Sequence, residues 1–314
     1  MKKQSMLFDK NIASALLREK IAKVAMFLCA GVAILVSIGI LFSMLYESWR
    51  FFSQYSVFSF LFGLEWSTQM SGIEGVEPSF GVMPLLIGTI VITGIALMVA
   101  IPFGLLSAIY LAEFATIKFR TIAKPVLEIL AGIPTVIYGF FAILIVAPAV
   151  KSAGKSLGLE IASEPALTAG LVMGIMIIPF VSSLVDNALR AVPDNLRLAS
   201  YGLGATRYET VIKVVFPTAL PGIIGAFILA FSRAVGETMI VVMAAGLMAK
   251  LSVNPLEALT TITVQIVTVL TGDQEFDDLK TLSAFALGIF LFFLTLILNA
   301  CALRFVSKYS EKYE

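Results

Sequence analysis

Polar and apolar positions along this chain fall into long blocks rather than into a short period, and six blocks are long enough to cross a bilayer as helices. Uncharged runs extend from Val24 to Tyr46, Val82 to Ala112, Ile129 to Val150, Pro165 to Val185, Val214 to Ser232 and Thr281 to Leu303. A hydrocarbon core of about 30 Å needs about 20 helical residues, so each qualifies. The fifth run continues past two charges to Ala249. The second holds Pro84 and Pro102, so its spanning part is expected to begin after the first and to kink near the other. Ala258 to Gly272 is uncharged but too short to cross, and is expected to be an outer helix or a re-entrant element.

The predicted architecture is therefore an all-α polytopic membrane protein with six transmembrane helices. Composition agrees: 59% of the 314 residues are hydrophobic, 14% are charged, and the mean hydropathy is +0.97. The start of the chain lacks the layout of a cleavable signal, because 23 residues precede an apolar run of spanning length, and the first helix is expected to be retained. The formal net charge of +1 and the lack of a basic run interleaved with aromatics exclude nucleic acid as a partner. There is no histidine, which removes His-based triads and His-containing metal sites. Cys29 and Cys301 lie far apart inside apolar runs and predict neither a disulfide nor a metal cluster.

Lysine and arginine orient the spans. With the N-terminus inside, 16 of the 22 basic residues fall on inner segments, among them Lys118, Arg120, Lys124, Arg190, Arg197, Arg207 and Lys213. The positive-inside rule puts both termini and the segment between the fourth and fifth spans in the cytoplasm. The outer side is acidic, and Asp273 to Asp278 lacks the spacing of a calcium loop, so it reads as a solvated face. Trp49 suits an interfacial belt, whereas Trp66 is expected to pack within the first outer loop. Ala153-Gly154-Lys155-Ser156 ends like a phosphate-binding loop, but Ala149 stands where the pattern needs glycine and no strand precedes it.

The inner segment Leu198 to Pro217 concentrates small residues, charges and a proline between two apolar runs. Gly202 and Gly204 suit close approach and a turn, Thr206 can cap a following helix, and Pro217 is expected to limit that helix. Its spacing resembles the EAA loop of ABC importer permeases. Ala199 and Ser200 stand at the two small positions, Gly204 at the glycine, Val214 at the branched residue, and Phe216 and Pro217 at the final Leu-Pro; Leu198 replaces the acidic residue. The resemblance implies a short helix, a turn and a second helix docked on a cytoplasmic ATPase. It assigns ATPase coupling to Ala199, Ser200, Gly202, Gly204, Ala205, Thr206, Arg207, Tyr208, Glu209 and Pro217.

Three ionisable residues fall within or at the edge of these runs: Glu128 near the inner end of the third, and Arg233 and Glu237 in the fifth. Charges at such depth are costly and face a pathway or one another. Arg233 and Glu237 are four apart and can pair on one helical face, which leaves both a self-neutralising structural pair and a translocation site open. For an anion, Arg233 is the residue of choice, because guanidinium offers a fork of donors to a tetrahedral oxyanion. Pro134 and Pro179 are expected to kink the third and fourth spans.

Gly132 to Gly139 (GIPTVIYG), Ile175 to Phe180 (IMIIPF) and Phe231 to Val241 (FSRAVGETMIV) resemble the matching stretches of the phosphate importer permeases, the PstC/PstA family. The long first outer loop and the VIYG and IMIIP sequences favour the PstC side of that family. The resemblance spans about residues 80 to 245. It implies a type I importer (MetI-like) permease core, residues 82–306, with a coupling loop at 186–220. That core follows a cytoplasmic segment 1–23, an added first helix 24–46 and an extracytoplasmic loop 47–81, and a cytoplasmic tail 307–314 ends the chain. It carries phosphate passage onto Arg233 and Glu237 and places Glu128 at a family glutamate. It also implies a second, PstA-like permease, two cytoplasmic ATPase subunits and an extracytoplasmic phosphate-binding protein, in the cytoplasmic membrane. No cofactor is expected on this chain, with ATP and Mg on the partner ATPase, so the chain is expected to be a transport subunit and not an enzyme. Another oxyanion such as molybdate or sulfate, or a secondary transporter or membrane scaffold, are the alternative readings.

Overall fold

The computed structural model describes residues 2–68, 78–271 and 277–309. Among them the chain runs α1 (Lys2–Gln54), α2 (Val57–Phe62), β1 (Trp66–Ser67), β2 (Ser79–Phe80) and α3 (Met83–Ile109), which widens into a π turn, π1 (Tyr110–Phe114). Next come α4 (Ile117–Ala131), α5 (Thr135–Phe141), π2 (Ala142–Val146), α6 (Ala147–Ser156), α7 (Ala166–Arg190), α8 (Asp194–Gly202), α9 (Arg207–Thr210) and π3 (Val211–Val215). The remainder is α10 (Phe216–Val235), α11 (Met239–Ala244), α12 (Ile262–Leu270) and α13 (Leu279–Tyr309). Six helical stretches are long and apolar enough to span, at Arg18–Gln54, Met83–Phe114, Thr135–Ser156, Ala166–Arg190, Arg207–Val235 and Leu279–Arg304, in register with the six apolar runs.

The bundle is built on α3 against α7. Without a hydrophobic effect inside the bilayer, helices associate where small side chains let backbones come close. Along α3, Gly88, Ile92, Ala96, Ala100, Gly104 and Ala108 recur every fourth residue as one buried ridge of mostly small groups. The facing side of α7 contributes Ala166, Gly170, Met173, Gly174, Ile177, Val181 and Val185. Contact is so close that a Cβ on Gly174 would lie 2.8 Å from the Ala96 carbonyl oxygen and 2.8 Å from the Val99 Cβ. The rest of the bundle is assembled on this pair: α10 packs on α7, α3 and α13, and α5 packs on α7 and α11.

The first helix is one continuous element from Lys2 to Gln54 that includes the segment ahead of the apolar run. It touches the bundle mainly through its second half on α13, where Met44 sits over the bare Gly288. Phe27, Leu35, Phe42 and Trp49 all stand exposed, as a lipid-facing helix requires. A second cluster caps the end of the bundle where α1 finishes and α3 and α13 begin, made of Phe51, Phe60, Trp66 and Phe80 in edge-to-face contacts. Trp66 is buried, as expected for a loop-packing residue, and its Nε1 donates to Gln265 Oε1 at 3.1 Å.

Several boundaries differ from the sequence reading. The third span starts at Thr135 rather than Ile129, because the helix breaks between Ala131 and Thr135. Pro134 therefore opens a helix instead of kinking one, whereas Pro179 does lie inside α7. The fifth span ends at Val235 and does not continue to Ala249; Gly236 closes α10 and only the short α11 follows. Pro217 does not stop the helix it was expected to limit. The path from α9 into α10 stays helical by widening to a π turn over residues 211–215, which relieves the clash a proline ring makes with the carbonyl four residues earlier. Pro148 in the first turn of α6 likewise follows π2. Pro84 sits in the first turn of α3 and Pro102 inside it, and Ile262–Leu270 forms the nine-residue α12, too short to cross. The acidic residues Asp273 and Glu275 lie outside the described residues, while Asp277 pairs with Arg50.

Gly174→Ala is expected to push α3 from α7 and cost about 1–3 kcal/mol as overpacking. Thermal unfolding of the solubilised protein checks this: a clear drop in Tm for Gly174→Ala and none for Gly39→Ala, where no atom lies within 4 Å of the added Cβ.

Candidate functional site

Two places carry the predicted chemistry: the break after α10, level with the middle of α7, and the α8–α9 loop at one end of the bundle. At the first, the Arg233 guanidinium lies 5.0 Å over the ring of Phe180. Phe180 stands fourteen residues after Ala166 in the 25-residue α7, about 21 Å from its start by the rise of a helix. The charge is thus held level with the middle of α7, and the Arg233 side chain is exposed on the surface of the single chain.

Arg233 and Glu237 do not form the ion pair their spacing allows. Gly236 ends α10 between them, so the four-residue offset no longer places both on one helical face. Glu237, half-buried, turns to α11, where its Oε1 accepts the Ile240 N–H at 3.3 Å, and its carbonyl accepts the Thr263 hydroxyl at 3.0 Å. Its carboxylate caps a helix, and no carboxylate among the described residues lies within the 4.0 Å ion-pair distance of Arg233. Ser232 beside it donates to Asn299 Oδ1 of α13 at 2.6 Å.

The three motif segments converge here. In GIPTVIYG the break at Gly132–Pro134 frees backbone carbonyls, and the Tyr138 hydroxyl donates back across it to the Leu130 carbonyl at 2.9 Å. Gly139 lies directly against Met243 of α11. IMIIPF contributes Phe180 as the platform for Arg233. Glu128 lies outside the spans, exposed on α4, but it lines a cavity of about 160 Å³ with Lys124, Leu127, Pro179, Phe180, Ser182 and Asp186. It thus shares a cavity wall with the Arg233 platform without touching Arg233.

Two buried carboxylates escaped the sequence reading because each lies one residue past the limit drawn for its span. Asp186, whose side chain is 2% exposed, receives Lys124 at 2.5 Å, Arg190 at 3.0 Å and Arg120 at 3.5 Å, tying α4 to α7. Glu113 in π1 receives Arg197 of α8 at 3.0 Å. The basic residues counted for orientation were the signal: a cluster of cations beside an apolar run needs acids to neutralise whatever is not in water.

The loop has the form expected of it: helix, turn, helix. Gly204 takes φ +85, the left-handed region, to make the turn. Thr206 caps α9 in a full capping box: its hydroxyl accepts the Glu209 N–H at 3.3 Å while the Glu209 carboxylate accepts the Thr206 N–H at 2.9 Å. Gly202 makes no close approach within the chain. Ser200 is buried and pairs with the Thr210 hydroxyl at 2.9 Å, pinning α8 to α9. Ala199, Arg207, Tyr208 and Pro217 are exposed, and Ala205 and Glu209 half-exposed. Leu198, Leu203 and Tyr208 are exposed at 65%, 90% and 65%.

Comparison with known proteins agrees with this architecture. Residues 100–311 match the family described as binding-protein-dependent transport system inner membrane component. The phosphate transport system permease protein PstC of Mesorhizobium japonicum is 32% identical over 289 residues, covering 87% of this chain and 85% of that one. The probable ABC transporter permease protein YqgH of Bacillus subtilis is 32% identical over 75% of this chain and 73% of its own. Among solved structures, the bacterial alginate ABC transporter in complex with an alginate pentasaccharide-bound periplasmic protein aligns with a TM-score of 0.60 at 16% identity, over 91% of this chain and 96% of that one. An inward-facing MetNI methionine ABC transporter aligns with a TM-score of 0.51 at 21% identity, over 74% of this chain and 95% of that one. The fold and the polar break within it define a multi-pass importer permease. This chain belongs to the binding-protein-dependent transport system inner membrane component family.

Gly204→Ala is expected to cost about 1–2 kcal/mol by forcing a Cβ into the left-handed region, whereas Gly202→Ala is neutral. Limited proteolysis of the loop checks it, with faster cleavage for Gly204→Ala alone.

Proposed function

We propose that this chain is the PstC-type permease subunit of an ATP-driven importer of inorganic phosphate. The observation that carries the reading is Arg233: a guanidinium level with the middle of α7, exposed on the single chain, resting on an aromatic face with no carboxylate in reach among the described residues. Lipid is a poor neighbour for such a group. The surface that presents it belongs to a water-containing pathway closed by a second protein wall, and a homologous, PstA-like permease supplies that wall. The relatives named as phosphate permeases support phosphate as the anion, since a guanidinium fork matches a tetrahedral oxyanion. Glu237 orders the turn that presents Arg233, and Glu128 lines the cavity beneath Phe180 on the α4 side of the route.

The chain carries no nucleotide-binding motif, so the energy comes from separate cytoplasmic ATPase subunits, two per transporter, which hold ATP and Mg. The 198–217 loop receives them, with Leu198, Leu203 and Tyr208 as the apolar surface that docking covers. An extracytoplasmic phosphate-binding protein delivers the anion on the opposite side. The lysine and arginine bias supports a cytoplasmic-membrane orientation with both termini and the loop inside.

Arg233→Ala is expected to lower labelled phosphate uptake by about ten- to a hundredfold, the worth of one or two charge-assisted hydrogen bonds. Assembly, followed by co-purification, stays intact. Uptake within twofold of the native chain contradicts the assignment, and displacement of the label by molybdate or sulfate as readily as by phosphate contradicts the substrate.

A further inference from the structure

Two covalent connections tie the α8–α9 loop to the bundle, one to α7 and one through π3 to α10; α3 has none. Yet the loop grips the end of α3 with both of its helices. Arg197 on α8 donates from Nη2 to Glu113 Oε1 of π1 at 3.0 Å and to the Leu189 carbonyl at 2.8 Å, and from Nη1 to the Val192 carbonyl at 2.6 Å and Asp194 at 3.1 Å. The two charged side chains are 14% and 8% exposed. Arg207, at the start of α9, lies 5.7 Å over the ring of Phe114, the next residue of π1. The buried Ser200–Thr210 contact fixes the two helices to each other.

We propose that π1 is where the stroke of the loop enters α3, with Glu113 and Arg197 as the positioning residues of that joint; the proposal rests on the reading of the loop as the ATPase dock. The physical reason is the cost of separation. Sliding α8 away from π1 strands a buried carboxylate and a buried guanidinium together, so the loop and the end of α3 move as one piece. Because α3 is packed on α7 along its small ridge, a push on the loop then drives both helices, including the Phe180 that carries Arg233. A π turn suits the joint, since its wider ring can tighten to α-helix without breaking the span.

The test uses the whole transporter, with co-purification of the ATPase, ATP hydrolysis and labelled inorganic phosphate uptake measured together in proteoliposomes. Glu113→Gln is expected to keep the ATPase bound and hydrolysing within about twofold while phosphate moved per ATP falls about tenfold, and Glu113→Asp restores at least half of it. Replacing the pair together, Glu113→Met with Arg197→Met, keeps packing without charge and is expected to give the same uncoupling. Native phosphate per ATP in either the Gln or the double-Met variant overturns the proposal. Failure of both to assemble also overturns it, by reducing the pair to a folding role. Absence of any ATPase from the native complex overturns the docking reading beneath it, which is a separate outcome.

Discussion

A charge inside a hydrocarbon slab has to find an opposite charge, a dense set of dipoles, or water. That constraint organises this molecule. Asp186 meets it with three cations, and Glu113 meets it with an arginine whose other hydrogen bonds go to two backbone carbonyls and Asp194. Glu237 meets it at the start of a short helix. Arg233 has an aromatic ring where Asp186 and Glu113 have counter-charges, and it stands on the surface. On the proposed reading a second permease completes its environment, and the chain is half of a pathway.

The same economy explains why the spans are broken where they are. A helix satisfies its own backbone, so each interruption frees polar groups that something nearby must take up. At Gly132–Pro134 the Tyr138 hydroxyl takes up a carbonyl, and after Gly236 the Glu237 side chain and the Thr263 hydroxyl do the equivalent. The prolines at 148 and 217 follow π turns that keep the helix running past them. Breaks gather around Arg233, and the unbroken pair α3 and α7 forms the frame. The frame is held by close backbone approach at small residues, which fixes distance more tightly than long side chains do.

Most of this was legible in the residue order. Six apolar runs became six spans, and the Gly204 turn and the Thr206 cap fell where small and hydroxylated residues predicted them. The misreadings share one cause. Counting residues assumes that a helix continues, so Arg233 and Glu237 were placed on one helical face, as a pair or as a translocation site, whereas Gly236 ends the helix between them. Glu113 and Asp186 were set outside because a run of uncharged residues ends, by definition, at its first charge, whereas the helix that bears them does not. Tertiary pairing, which decides whether a charge is inside or outside, is absent from a linear pattern.

The central claim is that the side chain at position 233 faces an aqueous, phosphate-accessible route between two permeases. Its most direct measurement is thiol reactivity of Arg233→Cys in the assembled transporter, with Cys29 and Cys301 replaced by serine. The account predicts reaction with a small charged, membrane-impermeant thiol reagent that is slowed by adding inorganic phosphate. Reaction only with lipid-soluble reagents, indifferent to phosphate, would contradict it.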